Sequence, residues 1–412
     1  MDASTQTSPS GAVRAETITR YADLLVRLGA NVQPGQIVEV AGTPAHAPLV
    51  RAAADAAYRA GARYVDARYF DPQVRRARIV HAPAAEALEF VPAWERERVL
   101  ALGEERCARV VLTPLLPPGL FDDLDAGLVA REPLPSLPES LQIVMAETTN
   151  WTAAPAPEPL WATRVHPDLP ADEALARLWE DVEHVCRLDE PDPEQAWRTR
   201  FAQLAEPTGR LNEARFDALH FRGPGTDLTV GLFPTSRWTS GRATTVAGIE
   251  HSPNLPTEEL FTAPDPSRAD GVVTSTRPLV LKSGARVDGL VVRFEGGRAV
   301  DVQADAGLDA LRALLGRDEG ATRLGEVALV DGDSRVGALD TVFWSTLLDE
   351  NAASHLALGH AYPRTVGEGE RQRANRSEIH VDFMIGGDDV EVTALARDGS
   401  SVPVLRGGAW AL

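Results

Sequence analysis

The segment "SEIHVDFMIGG", residues 377–387, alternates strictly between apolar and polar side chains. As a strand it would place Ile379, Val381, Phe383 and Ile385 on one face, and His380, Asp382 and Met384 on the other. Imidazole and carboxylate side by side on one strand face suit a pair of metal ligands. The same pattern also describes an amphipathic strand with one wet face. A second group lies in "LDENAASHLALGHAY", residues 348–362, where Asp349, Glu350, His355, His360 and Tyr362 interrupt an apolar run. No regular element aligns them all. Glu350 and His355 are five apart, which is about 140° on a helix and opposite faces on a strand. His355 and Tyr362, seven apart, would share a helix face, but Gly359 between them costs a helix about 1 kcal/mol against alanine, so a helix is expected to end there. Convergence needs a bend between these residues, or partners from other segments. Otherwise His355 is a satisfied core histidine and His360 a surface residue.

Two further carboxylate sites are weaker alone. In "NLPTEELFTAP", Glu258 and Glu259 are adjacent, so in extended chain only one can face a site. An acidic first helical turn after a Thr257 cap explains the pair equally well. In "RLGEVALV", Glu326 follows Gly325 at the mouth of a strand, where a glutamate is commonly just solvated. Phosphate-binding and serine-hydrolase motifs are missing: there is no G-x-x-x-x-G-K-[ST], no G-x-G-x-x-G after a strand, no H-E-x-x-H and no G-x-S-x-G.

The elements that must position these residues fall into two textures. A tail over residues 1–16 reads as disordered. From Thr17, a helix with Ile18, Tyr21, Leu25 and Leu28 on one face leads into alternating strands and helices. The strands are "GQIVEVAG", "RYVDARYF", "ARVVLTP" and "LQIVMAE"; the helices include "APLVRAAADAAYRAGA", closed by Gly61, and "AWERERVLALGEE". Such alternation implies right-handed crossovers and a mainly parallel sheet, hence an N-terminal α/β layer domain over residues 17–210. Beyond it, strands are closely spaced and separated by turns: "RFDALHFR-GPGT-DLTVGLF", "LVVRF-EGGR-AVDVQA" and "EIHVDFMI-GGDD-VEVTAL". These predict a hairpin-rich antiparallel α+β domain over residues 211–412, with one helical insert, "GLDALRALLGRD".

Bulk properties narrow the function classes. With 44% hydrophobic and 25% charged residues in 412, the chain reads as a soluble globular protein large enough for two domains. A net charge of −19 argues against a nucleic-acid or anionic-membrane surface. Lys282 is the only lysine, a bias that reflects composition and not chemistry. Two cysteines, Cys107 and Cys186, exclude a disulfide framework and point to a reduced, cytoplasmic setting. The start lacks an apolar signal region, so the sequons at Asn150 and Asn375 carry no meaning.

Taken together and in order, "PNLPTEELFTAP", "RLGEVALV", "DENAASHLALGHAY" and "HVDFMIG" resemble the signature stretches of the thermophilic metalloprotease family, the group of aminopeptidases T, S and II. The likeness extends to "RYADLLVRLGANVQPGQ", "TNWTAAPAPEPLWA" and "ALHFRGPGTDLTVGL", and so spans nearly the whole chain. The resemblance implies a C-terminal domain that holds two divalent metal ions (Zn, Co, Mn or Mg) and removes N-terminal residues from short peptides. Carried over by position, the ligands fall on Glu259, Glu326, Glu350, His355, His380 and Asp382, and a catalytic tyrosine on Tyr362. Spacing to Glu326 favours Glu259 over Glu258. Asp349 and His360 drop out. A homodimer is also implied.

Charge agrees with that ligand set. Its four carboxylates carry the charge that two dications cancel, whereas one ion would leave two buried negative charges uncompensated. Two ions can hold a bridging water and polarise a carbonyl. Glu326, if loosely bound, could pass a proton to the leaving amine, and Tyr362 could steady the oxyanion. Two rivals stay open at this level: a metal-dependent amidohydrolase on a non-peptide amino compound, and a binding protein that kept the fold without catalysis.

Overall fold

The computed structural model describes residues 9–134, 137–281 and 284–412; Lys282 and residues 1–8 of the N-terminal tail lie outside them. The first helix starts at Pro9 and runs to Leu24, inside the stretch read as disordered. The chain divides into two compact units. One takes the chain up to Trp197 together with Arg242–Pro256, and the other takes Arg198–Gly241 with Thr257–Leu412. The cut falls within the helix Pro193–Ala214, and the excursion at 242–256 has no sequence signal that the texture of the chain betrays.

In the first unit, β1 (Ile37–Gly42), β2 (Tyr64–Tyr69), β3 (Ala108–Thr113) and β4 (Asn150–Pro155) form a four-stranded parallel sheet in the order β2-β1-β3-β4. Val38, Val40, Val110 and Leu112 are fully buried in it. The helix Ala47–Arg59 between β1 and β2 buries Leu49, Val50, Ala53, Ala56 and Ala57, the spacing of one helical face. It stops where Gly61 adopts φ 91°, a left-handed conformation that glycine takes without steric cost. One strand assignment fails. "LQIVMAE" is not a strand but belongs to the helix Pro138–Met145. Pro138 in its first turn and Glu139 beside it are helix-start chemistry, and an apolar run this short has no period that separates strand from helix. The fourth strand is instead "NWTAAP". Both sequon asparagines are buried, Asn150 in this unit and Asn375 in the other. Cys107 and Cys186 are buried and form no disulfide.

The second unit contains two large antiparallel sheets, beside a two-stranded one that pairs Leu279–Val280 with Arg286–Val287. An eight-stranded one runs in the spatial order 298–303, 291–295, 264–274, 226–232, 218–223, 391–395, 401–406, 409–410. A five-stranded one is made of β5 (Thr239–Ser240), β6 (Glu259–Thr262), β7 (Leu324–Val330), β8 (His355–Gly359) and β9 (His380–Met384), in the order β9-β8-β7-β6-β5. Leu219, Phe221, Leu228 and Val230 from the larger sheet share one apolar core with Leu260, Val327, Leu329, Leu356, Leu358 and Phe383 from the smaller. That core fixes which face of the small sheet is left for polar side chains.

Two expectations for this region are corrected. The strands of "EIHVDFMI-GGDD-VEVTAL" do not pair with each other: β9 joins the small sheet and Glu391–Leu395 the large one. The chain parts there because the Ile385 and Gly386 N–H groups both donate to the Ser354 carbonyl at 2.8 Å. A Cβ on Gly386 would come within 2.5 Å of Ser354 nitrogen, so only glycine allows that approach. The opening of "HLALGHAY" is β8 and not a helix. Every residue of β8 is buried, with β7 and β9 as neighbours on either side, and tertiary pairing overrides the helical spacing.

Candidate metal centre

Strand register gathers the carboxylates and imidazoles onto one face. In β8, His355 lies opposite Ala328 of β7, and Ala328 lies opposite Phe261 of β6. Glu326 of β7 lies opposite Ala357 of β8, which in turn lies opposite Asp382 of β9. Gly359 lies opposite His380. With period 2, Glu259 joins Phe261 on this same face. Larger side chains thus ring a floor of Ala328, Ala357 and Gly359. A register shift between Leu324 and Glu326 brings the glutamate into line, and Gly325 permits it: a Cβ there would sit 2.3 Å from the Gly359 carbonyl oxygen. The alternation of β9 holds from His380 to Phe383, with Val381 and Phe383 turned to the core, whereas Met384, expected on the polar face, also joins that core.

The adjacent glutamates separate cleanly. Glu259 opens β6 and faces the site, with no helical turn around it. Glu258 is fully buried elsewhere, accepting from Arg200 Nε at 2.6 Å. Glu326 is not a solvated strand end; it is 5% exposed. Glu350 lies in a 3₁₀ turn that precedes β8. Two three-residue groups have donor atoms close enough for one ion each: Glu259, Glu326 and His355, and Glu326, His380 and Asp382, all within 4.8 Å of one another. Glu326 belongs to both. Glu350 belongs to neither, and Asp349 and His360 point their side chains to other uses. Asp349 accepts from the Phe343 and Ser345 N–H groups at 2.7 and 3.0 Å.

The imidazoles are oriented as ligands. His355 donates from Nδ1–H to the Ala353 carbonyl at 3.1 Å, and His380 from Nδ1–H to the His360 carbonyl at 2.8 Å. A carbonyl can only accept, so when either ring is neutral its Nε2 carries the lone pair. His355 Nε2 stands 3.1 Å from Glu259 Oε2 and 3.5 Å from Glu326 Oε1. His380 Nε2 stands 3.1 Å from Asp382 Oδ1 and 3.8 Å from Glu326 Oε2. Although close, His355 Nε2 and Glu259 Oε2 are buried atoms with no hydrogen bond of proper geometry. Buried polar atoms left so are rare and call for an ion or another ligand. Nitrogen and carboxylate oxygen donors, with tautomers fixed from behind, fit a divalent cation of the Zn, Co or Mn kind.

Electrostatics agree. Burial raises the pKa of Glu326, and burial followed by the charges of Glu259 and Asp382 pushes that of Glu350 well up. For His355 burial opposes the charged form, yet Glu259 and Glu326 outweigh it and hold its pKa well above the usual value. At His380 burial is likewise overcome, by Asp382 and Glu326, which push it up to about 10. Tyr362 is raised by burial and then by Glu326, Asp382 and Glu350. Beside burial, which raises the carboxyls and the phenol and opposes the imidazoles, neighbouring carboxylate charge pushes all of them up, and a bound cation would relieve it.

Tyr362 follows β8, with its ring 5.7 Å from that of His380 and 5.9 Å from that of Phe261. Sequence reading missed Phe261, although its place two residues after Glu259 on a strand was the available signal. It also missed Asn351, which is fully buried and accepts from the Glu258 N–H at 2.6 Å, tying the turn of Glu350 to the start of β6. No local pattern marks that contact.

A buried cluster of carboxylates and imidazoles on a sheet face is the arrangement a metal-dependent enzyme would present. Residues 14–410 match the family described as thermophilic metalloprotease (M29), and the chain belongs to that family. It is 42% identical to aminopeptidase T of Thermus aquaticus, over 96% of this chain and 99% of that one. It is 37% identical to aminopeptidase 2 of Geobacillus stearothermophilus, over 96% and 97%. The solved structure of wild-type AmpT from Thermus thermophilus superposes with a TM-score of 0.90 at 40% identity, covering 96% of this chain and 99% of that one.

Proposed function

We propose that this chain is a metallo-aminopeptidase that removes N-terminal residues from short peptides at a centre of two divalent ions. The observation that carries the reading is Glu326 shared between two three-ligand groups, in a chain whose family is metallopeptidase and whose relatives bear aminopeptidase names. His355 and Glu259 would hold one ion, His380 and Asp382 the other, and Glu326 both. When bound, the ions would supply Lewis acidity and a shared water of lowered pKa. Zn, Co or Mn suits this donor set, with Mg as a harder alternative.

The chain's own residues account for the remaining steps. Tyr362, held between His380 and Phe261 with its phenol kept protonated, would donate to the oxyanion that forms at the scissile carbonyl. Both oxygens of Glu326 face imidazoles, which suits a ligand better than a proton carrier. Glu350, outside both groups but feeling the charges of Glu259 and Asp382, would be the sixth ligand that the family likeness implies, so that four carboxylates face two dications. A homodimer and a cytoplasmic setting belong to this reading through the family likeness; among the described residues, no helix is long and apolar enough to cross a membrane.

Chelation of the metal should abolish cleavage of an aminoacyl anilide, and Zn or Co should restore it. Full activity in a thoroughly metal-free sample would remove the basis for the proposal. An amide of a small amino compound, run beside the peptides, separates this reading from an amidohydrolase.

A further inference from the structure

We infer that Arg364 is a specificity residue that receives the C-terminal carboxylate of di- and tripeptide substrates; the inference rests on the aminopeptidase reading and names its substrate class more narrowly. Arg364 lies in the short turn Pro363–Thr365, two residues after Tyr362, and is half-buried. Its guanidinium carbon stands 5.7 Å from the centre of the Tyr362 ring, a cation over an aromatic face. Among the described residues it forms no ion pair and no hydrogen bond. Its neighbours along the chain are occupied: Arg373 holds Asp265 at 2.7 Å and Glu370 at 2.9 Å, and Arg371 donates to the Val366 carbonyl at 3.1 Å. In a chain of 60 acidic residues and net charge −19, an arginine beside this centre whose five donors remain available is conspicuous.

The chemistry of the substrate supplies the partner. A free peptide carries one obligatory anion, its C-terminal carboxylate, which needs a cationic partner when it is drawn out of water. A guanidinium fork takes a carboxylate in two parallel hydrogen bonds, and the aromatic ring beneath limits the directions in which the fork can face. Reach sets the peptide length. If the Tyr362 hydroxyl meets the scissile carbonyl, an extended chain advances about 3.3–3.6 Å per residue beyond it. A carboxylate one or two residues on therefore falls within the span of a side chain anchored at position 364. Longer peptides would carry their carboxylate past it.

The test compares a tripeptide with its own C-terminal amide, using the Zn-loaded full chain. The wild type should prefer the free acid by about tenfold to a hundredfold in kcat/KM, the range of a charge-assisted hydrogen bond. In R364Q the acid-to-amide ratio should fall close to one, and R364K, with a point charge in place of a fork, should keep part of it. A structural defect would lower both substrates together and leave the ratio intact. The inference is overturned if R364Q keeps the wild-type ratio, or if the wild type treats acid and amide alike while cleaving both. Failure of the wild type to cleave either would overturn the aminopeptidase reading, and the inference with it.

Discussion

At the scale of single residues, the centre separates groups that hold charge from groups that move it. Tyr362 touches no ligand group through a hydrogen bond but packs on His380, so Tyr362→Phe should retain bound metal and lose about 10²–10³ in kcat; an unimpaired variant would show that the phenol has no part in catalysis. The raised pKa values carry a second prediction. In the ion-free chain Glu326, Glu350, His355 and His380 keep their protons to higher pH than usual, with His380 pushed up to about 10. Groups whose folded pKa lies above the unfolded value contribute stability at low pH and lose it as pH rises through the folded pKa. The ion-free protein should therefore lose stability as pH climbs from the carboxylate range towards 10. Ion uptake should release protons, and affinity should fall as pH falls. Calorimetry in buffers of different ionisation enthalpy reads that release directly; uptake without proton release would contradict the assignment of these side chains.

At the scale of elements, the small sheet is a device for register. His380 and Asp382 share a face in the sequence as in the structure, because period 2 is a local property of a strand. Glu350, His355 and Tyr362 could not be aligned by any local rule, and the reason is now physical: one lies in a 3₁₀ turn, one opens a strand and one follows it. The resemblance to a family supplied their grouping where periodicity failed. The division of labour between Glu258 and Glu259 depended on a partner far off in sequence. Arg200 donates from Nε to Glu258 at 2.6 Å and pairs with Asp331 through both terminal nitrogens at 2.6 and 3.2 Å, all three side chains being buried. This network pins the helix Pro193–Ala214 to the start of β6 and the end of β7, next to Glu259. Arg200→Met should leave two buried carboxylates uncompensated and cost about 3–5 kcal/mol in chemical denaturation. A variant as stable as the parent would show that the network adds nothing to the fold. The same contact explains what the sequence hid, since nothing near Glu258 announces a guanidinium.

For the molecule as a whole, each of the two units was visible as a texture, crossovers in the first and hairpins in the second, because sheet type follows from connection length. What was not visible is non-local: strands 380–384 and 391–395, adjacent in sequence, enter different sheets, and 242–256 leaves its neighbours for the first unit. Because the proposed ligands come from four segments of one unit, ion binding and folding should be partners. An ion present at about a thousand times its Kd should add about 4 kcal/mol of apparent stability, seen as a rise in Tm that a chelator reverses. The account turns on two ions acting together at the face of the small sheet. Its most direct test is a titration of the metal-free chain with Zn while release of the N-terminal residue from a tripeptide is followed. Activity should rise from nothing and level off at two ions per chain; a plateau at one ion, or cleavage with none, would contradict it.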